Sequence, residues 1–292
     1  MNKISKNTNN ESSLNKSVID NFLKVKFVYL IPSFFIIAFC FLLVIFLNNE
    51  NTFNNAYINI QKDLFYYLNS KLSVFPNLQY NLTQLGDVII LFPFVAIFIL
   101  YAPKLWEAIV TSSVLSLIVS ALLKKIFSIP RPAAVFDNES FTIIGRTLRG
   151  STSLPSGHSM TTFVVITLLL YAFMPKKTGQ KIIWFLFMLT LGFTITFCRV
   201  GVGAHYPLDV LIGSLIGYII AIIGIKLNEK LNWLSKLKVP KEGIVLVIIL
   251  LIWIGLIIKI IINKNLFIAY LSIIPVILTI ILLLKKYVQN KN

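Results

Sequence analysis

The chain contains two histidines, and each stands among residues that could act on a substrate. His205 is followed by Pro207 and Asp209. Proline suits the first turn of a helix, which would place Asp209 in that turn and within reach of one ring nitrogen of His205. A carboxylate that accepts a hydrogen bond from one imidazole nitrogen fixes the tautomer and leaves the other nitrogen as a nucleophile. The spacing therefore predicts that His205 is a nucleophile rather than a metal ligand.

The second histidine, His158, ends the segment Pro155-Ser156-Gly157-His158 at the start of a predicted helix. A helix N-terminus offers unpaired N–H groups and a partial positive charge. Serine and glycine let a phosphate approach the backbone closely. The segment therefore predicts an anion-binding site.

Basic residues flank these segments. Lys124 and Arg131 are seven positions apart, which is about two helical turns, so both would face one side if the helix persists, although Pro130 favours an earlier end. Arg199 precedes His205 in the chain. Each arginine can bind two oxygens of one phosphate in a planar fork, whereas lysine acts as a point charge.

Together, the motifs Lys124-x6-Arg131-Pro132, Pro155-Ser156-Gly157-His158 and Cys198-Arg199-x5-His205-x3-Asp209 resemble the three-part signature of the type 2 phosphatidic acid phosphatase family. The resemblance covers roughly residues 86 to 227. It implies a six-helix membrane core, a site at the outer membrane face, a covalent phosphohistidine intermediate and no metal or other cofactor.

The resemblance also implies a role for each matching residue. His205 would attack phosphorus, Asp209 would orient it, and His158 would protonate the leaving oxygen. The residues expected to hold the phosphoryl oxygens are Lys124, Arg131, Ser156, Gly157 and Arg199. Cys198 stands where the family usually has serine, and we expect this change to tune the site rather than to abolish its activity.

Composition identifies the solvent of this protein as lipid. Hydrophobic residues make up 57% and charged residues 13% of the 292 positions, with a mean hydropathy of +0.83, which ordinary soluble domains do not reach. We expect an all-α polytopic bundle. Its predicted spans, each about the length that crosses a bilayer, are Phe27 to Leu47, Val88 to Ala102, Leu105 to Leu123, Ser159 to Met174, Ile182 to Cys198, Leu208 to Leu227, Ile244 to Ile262 and Leu266 to Leu284.

The domain organisation follows from these spans. Residues 1–26 are polar and predict a disordered cytoplasmic tail, and residues 27–227 form the predicted phosphatase core with its six spans. Residues 228–243 predict a cytoplasmic linker, and residues 244–292 a C-terminal transmembrane hairpin and short tail. The loop 48–86 is rich in aromatic residues and leucine, which fits a helix lying in the membrane interface or an ordinary packed loop equally well.

The net charge of +16 indicates topology rather than nucleic-acid binding, because the basic residues lie between spans. Their distribution favours a cytoplasmic N-terminus. The loop from Lys124 to Arg149 is basic although it would lie outside, and an anionic substrate would explain that exception. Arg146 and Arg149 lie in this loop, where substrate headgroup contact and plain surface solvation are equally open.

These observations lead to one main hypothesis. The protein would be a phosphatase at the outer face of a bacterial inner membrane, with its site facing the periplasm or cell exterior. Its partner would be a phosphorylated lipid in the bilayer, of the undecaprenyl diphosphate, phosphatidylglycerophosphate or lipid A type. The alternatives are a phosphotransferase that uses a lipid hydroxyl as acceptor, and a non-catalytic membrane protein that binds or transports anionic lipids.

Overall fold

The computed structural model describes residues 12–47, 50–231, 233 and 239–289, and all regular secondary structure in these residues is helical. The helices are α1 Ser13–Phe22, α2 Ile31–Phe46, α3 Phe53–Asn59, α4 Lys62–Leu72, α5 Pro76–Thr83, α6 Val88–Val95, α7 Phe98–Tyr101, α8 Pro103–Phe127, α9 Pro132–Val135, α10 Gly157–Ala172, α11 Thr178–Gly201, α12 Pro207–Asn228, α13 Val239–Lys264 and α14 Phe267–Gln289. Short 3₁₀ turns at Phe27–Leu30 and Gln84–Gly86 precede α2 and α6.

The prediction of an all-α, multi-pass membrane protein is confirmed. Within the described ranges, six helical segments are long and apolar enough to cross a bilayer, and one of them contains both α8 and α9. Their bounds are Phe27–Phe46, Pro103–Val135, Thr178–Gly201, Pro207–Asn228, Ile244–Lys264 and Phe267–Lys286. The shorter apolar helix α10 packs between α8, α11 and α12, so it is enclosed by other helices rather than by lipid.

The predicted span from Val88 to Ala102 is not one helix. It breaks after Val95 and resumes at Phe98 as α7. Pro93 explains the break, because proline has no N–H to donate to the carbonyl of Ile89 and its ring crowds that carbonyl. The oxygen of Ile89 accepts instead from Nε1 of Trp253 on α13, at 2.9 Å. The C-terminal hairpin thus satisfies a backbone group that lipid could not satisfy.

The prediction that residues 1–26 are disordered is wrong for residues 13–22, which form α1. Ser12 caps this helix by accepting from the N–H of Asn15, and Val18 and Phe22 are buried in the main core. Asn21 donates to the carbonyl of Ala172 at the end of α10. Apolar residues four positions apart let α1 pack across the end of the bundle opposite the two histidines. Residues 1–11 lie outside the described ranges.

The loop 48–86 folds into α3, α4 and α5, which cover the histidine-bearing end of the bundle. Phe65 and Tyr57 are fully buried there. Gln61 accepts from the N–H of Leu208 at the start of α12. Asn69 donates to the carbonyl of Val200 near the end of α11. These helices therefore hold the ends of the spans together.

Two glycines bring α10 and α12 into close contact. A β-carbon at Gly213 would lie 2.7 Å from the carbonyl oxygen of Ser156, and one at Gly217 would lie 2.5 Å from that of Met160. Small residues allow the backbones of membrane helices to approach in this way. The N-termini of α10 and α12, which follow or carry the histidines, consequently lie side by side.

The C-terminal hairpin consists of α13 and α14, as expected, but α13 begins at Val239 rather than at Ile244. Most of the predicted linker 228–243 lies outside the described residues or within the ends of α12 and α13. The hairpin packs against α6 through a separate apolar cluster that includes Ile90, Leu250 and Val276.

Candidate active site

The side chains of His205 and Asp209 meet at the start of α12. Nδ1 of His205 lies 3.3 Å from Oδ2 of Asp209, and both side chains are buried. Pro207 occupies the first turn, and Oδ2 of Asp209 also accepts from the N–H of Tyr206 at 2.9 Å. This bond caps the helix and fixes the carboxylate that faces the histidine.

Two further hydroxyl groups donate to Asp209. The phenol of Tyr57 on α3 donates to Oδ1 at 2.8 Å, and the hydroxyl of Ser153 donates to Oδ2. Burial raises the pKa of Tyr57 well above its ordinary value, and the nearby Asp209 carboxylate raises it further. The phenol therefore stays protonated and remains a donor. Neither residue belongs to a sequence motif, and both were missed.

The other ring nitrogen of His205 faces an arginine. Nε2 of His205 lies 3.3 Å from Nη1 of Arg131. Because a guanidinium can only donate and a carboxylate can only accept, Nδ1 carries the proton and Nε2 presents its lone pair. Burial lowers the pKa of His205 well below its ordinary value, and the charge of Arg131 lowers it further. A neutral imidazole with an unprotonated Nε2 is the form that can attack phosphorus.

Arg131 lies beyond the end of α8, not on it. The helix ends at Phe127, and Ser128 adopts a left-handed conformation with φ of 47°. Arg131 is instead held by the carbonyl of Ala204, at 3.0 Å from Nη1, and by the side chain and carbonyl of Thr152 at 3.3 Å. The helical continuation that would align Lys124 with Arg131 is therefore absent.

Lys124 nevertheless reaches the same site from the last turn of α8. A β-carbon at Gly157 would lie 3.5 Å from Nζ of Lys124, so the ammonium group lies beside the first residue of α10. Ser156 caps α10 with its hydroxyl, which accepts from the N–H and the hydroxyl of Ser159. The N–H groups of Gly157 and His158, in the first turn, have no helical acceptor. They and Lys124 form one cationic surface.

The backbone N–H of Ser156 is already used, because it donates to the carbonyl of Asp209 at 3.1 Å. Its hydroxyl accepts two bonds, so its own proton is the group that remains for a phosphate. The main role of Ser156 in this structure is therefore to cap α10.

His158 lies against the 3₁₀ turn before α6. A β-carbon at Gly86 would lie 2.7 Å from Cβ and 3.0 Å from Cδ2 of His158. Only a residue without a side chain leaves room for this imidazole. Gly86 is a positioning residue that sequence reasoning missed.

Arg199 approaches from the last turn of α11 and is buried. Its Nη1 donates to the hydroxyl of Thr83 at 3.0 Å, while its Nε has no hydrogen-bond partner among the described residues. A buried donor without a partner is costly, and a phosphoryl oxygen would satisfy it. The neighbouring Cys198 donates its thiol to the carbonyl of Thr194 within the helix, a bond that serine could also make.

Arg146 and Arg149 are both exposed. With the Asn138 amide oriented to satisfy both of its groups, its oxygen accepts from Nη2 of Arg149 at 2.8 Å. Arg149 thus stabilises its own loop. Within the described ranges, neither arginine forms a hydrogen bond with a motif residue.

The described residues contain no group of three or more His, Cys, Asp or Glu side chains that could hold a metal ion.

Comparison with known proteins gives one family match. Residues 104–233 match the model of the PAP2 superfamily. No curated protein matches the chain. Among solved structures, the crystal structure of Aquifex aeolicus LpxE matches with 29% identity and a TM-score of 0.47, covering 57% of this chain and 95% of that one.

Proposed function

We propose that this protein dephosphorylates a membrane lipid through a phosphohistidine intermediate on His205. The match of residues 104–233 to the PAP2 superfamily model supports a phosphatase activity. The observation that carries this proposal is the pair of contacts on the His205 ring. Nδ1 faces Asp209 and Nε2 faces Arg131, each at 3.3 Å. This arrangement leaves Nε2 unprotonated next to a guanidinium that can hold a phosphoryl oxygen.

In the first step, Nε2 of His205 attacks phosphorus, and the bond from phosphorus to the lipid oxygen breaks. His158 gives a proton to that oxygen, so the lipid leaves as an alcohol or, from a diphosphate, as a phosphate. Asp209 stabilises the positive charge that develops on the His205 ring. Among the described residues, none forms a hydrogen bond with the imidazole of His158. Its ring nitrogens are therefore available to the leaving group.

In the second step, water attacks phosphorus and the bond from phosphorus to Nε2 breaks. His158, now neutral, takes the proton from the water, and inorganic phosphate leaves. In both steps negative charge spreads over the three equatorial oxygens, and positioned donors lower the barrier by stabilising it. Lys124, Arg131, Arg199 and the first N–H groups of α10 would supply these donors.

The position of the site supports a lipid substrate. The site lies at one end of the bundle, where α8 and α11 end and α12 begins, and these three helices are long enough to cross a bilayer. The basic-residue distribution favours the outer face of a bacterial inner membrane for this end. A lipid phosphomonoester or diphosphate of the undecaprenyl diphosphate, phosphatidylglycerophosphate or lipid A type would present its phosphate there.

Phosphate release by the detergent-purified protein tests the proposal, with EDTA present and these three lipids as substrates. We expect release from at least one lipid, a phosphoenzyme that is labile to acid and stable to base, and neither product in His205→Ala. Undiminished release by His205→Ala would overturn the mechanism. A phosphoenzyme that forms but transfers phosphate only to an added lipid alcohol would identify a transferase, and lipid binding without turnover would identify a binding protein.

A further inference from the structure

The turn of the C-terminal hairpin lies next to the candidate active site. Lys264 is the last residue of α13, and its Nζ donates to Oε1 of Gln84 at 3.3 Å. The same ammonium group lies 5.9 Å from the ring centroid of Tyr80. After the turn, the N–H of Ile268 donates to the side-chain oxygen of Asn81 at 3.0 Å. The turn is therefore anchored to α5 and to the 3₁₀ turn that follows it.

The segment that anchors Lys264 also positions the catalytic groups. Thr83 accepts from Arg199 at 3.0 Å, and Gly86 lies against His158. Gln84 stands between these two residues in the sequence. Lys264 thus contacts the same 3₁₀ turn that borders His158.

The charge of Lys264 has no counterion among the described residues. Its side chain is exposed. Its contacts are an amide oxygen and the face of an aromatic ring, which orient a cation without cancelling its charge. Lys264 lies outside residues 104–233, the part that matches the PAP2 superfamily.

We infer that Lys264 binds a second anionic group of the substrate headgroup, so that the hairpin makes the site selective for lipids with a second phosphate. This inference rests on the proposed function. The first phosphate would lie among Lys124, Arg131 and Arg199, and the second on the side of His158 where the leaving group departs. A leaving group that carries its own phosphate would bring a negative charge to that side.

Two substrates that share the same lipid tail but differ in the number of phosphates separate this role from a structural one. The specificity constant kcat/KM is measured for farnesyl diphosphate and farnesyl monophosphate with the wild type, Lys264→Gln and Lys264→Arg. We expect Lys264→Gln to lose about 10-fold on the diphosphate, the effect of one charge-assisted hydrogen bond, and less than about 2-fold on the monophosphate. Lys264→Arg should retain most of the preference.

Lys259→Gln is the matched control, because Lys259 is an exposed lysine on the same helix. Equal losses on both substrates would overturn the inference and show that Lys264 only stabilises the turn or the C-terminal end of α13. Wild-type kcat/KM on both substrates in Lys264→Gln would overturn the inference too. If wild type releases phosphate from neither farnesyl substrate nor any of the three lipids, the proposed function itself fails, which is a different result.

Discussion

The hydroxyl of Tyr57 donates a 2.8 Å hydrogen bond to Oδ1 of Asp209, across 152 positions of sequence. It connects α3, in the segment that covers the site, with the carboxylate that orients His205. Together with Ser153 and the N–H of Tyr206, it provides hydrogen bonds to a carboxylate that is fully buried. A buried carboxylate needs such donors to remain ionised.

Replacing Tyr57 with phenylalanine should therefore slow the reaction. A hydrogen bond to a charged group contributes about 1.5–3 kcal/mol, so we expect the rate of phosphoenzyme formation to fall about 10- to 100-fold. Tyr66→Phe is the control, because its hydroxyl contacts Ser140 on the exposed surface. An unchanged rate in Tyr57→Phe would show that Asp209 does not depend on this donor.

Gly86→Ala should impair His158 without unfolding the protein. The added methyl group would lie 2.7 Å from Cβ of His158, so the start of α10 or the 3₁₀ turn must shift and the imidazole moves with it. A displacement of about 1 Å can cost about 100-fold in rate, and the loss should be largest for poor leaving groups if His158 is the acid. At Gly179 a β-carbon meets nothing within 4 Å, so Gly179→Ala should have wild-type kinetics and serves as the control.

A uniform loss across leaving groups in Gly86→Ala would contradict the acid role of His158. It would indicate instead that the 3₁₀ turn had moved Thr83 and, through it, Arg199. The two outcomes are separated by plotting log kcat/KM against leaving-group pKa for aryl phosphates.

The motif part of the site could be predicted because helix termini carry local signals. Pro207 marks the first turn of α12 and Ser156 caps α10, so the spacing alone places His205 and His158 at helix starts. The conformation after Phe127 could not be predicted from the spacing of Lys124 and Arg131. Arg131 reaches the site because Thr152 and Ala204 hold it.

The supporting residues were missed because they act through tertiary contacts. Tyr57, Thr83 and Gly86 lie in a segment whose composition fitted an interfacial helix or a plain loop, and nothing in their spacing connects them to Asp209, Arg199 or His158. Two other errors did have signals in the sequence. Pro93 marks the break in the second predicted span, and Ser12 followed by Val18 and Phe22 marks a capped amphipathic helix.

The charge state of His205 gives a prediction on pH. Since burial and the charge of Arg131 hold the pKa of His205 well below its ordinary value, the ring should stay neutral at pH values that protonate an ordinary imidazole. The histidine nitrogens can be followed by NMR in detergent, because the chain has only two histidines and His158→Gln identifies the remaining signal. A His205 titration midpoint at or above 6.5 would contradict the site geometry.

Arg199 should be the arginine that gains most from a bound phosphate, because its buried Nε has no partner in the described residues. Orthovanadate or inorganic phosphate should raise the unfolding temperature of the wild type. In Arg199→Lys the shift should largely disappear, since lysine cannot reproduce the planar fork. Thr83→Val keeps the guanidinium but removes one of its contacts, so it should retain most of the shift. A full shift in Arg199→Lys would exclude Arg199 from phosphate binding.

The bond between Trp253 and Ile89 predicts a stability effect that depends on Pro93. Trp253→Phe removes the donor and leaves the Ile89 carbonyl unsatisfied, at a cost of about 1–3 kcal/mol in the free energy of unfolding. It also keeps an aromatic ring at the position stacked on Phe92. Pro93→Ala supplies a helical N–H for the same carbonyl, so Trp253→Phe should cost much less in that background. Equal costs in both backgrounds, measured by denaturant unfolding in detergent, would show that the indole contributes through packing and not through its hydrogen bond.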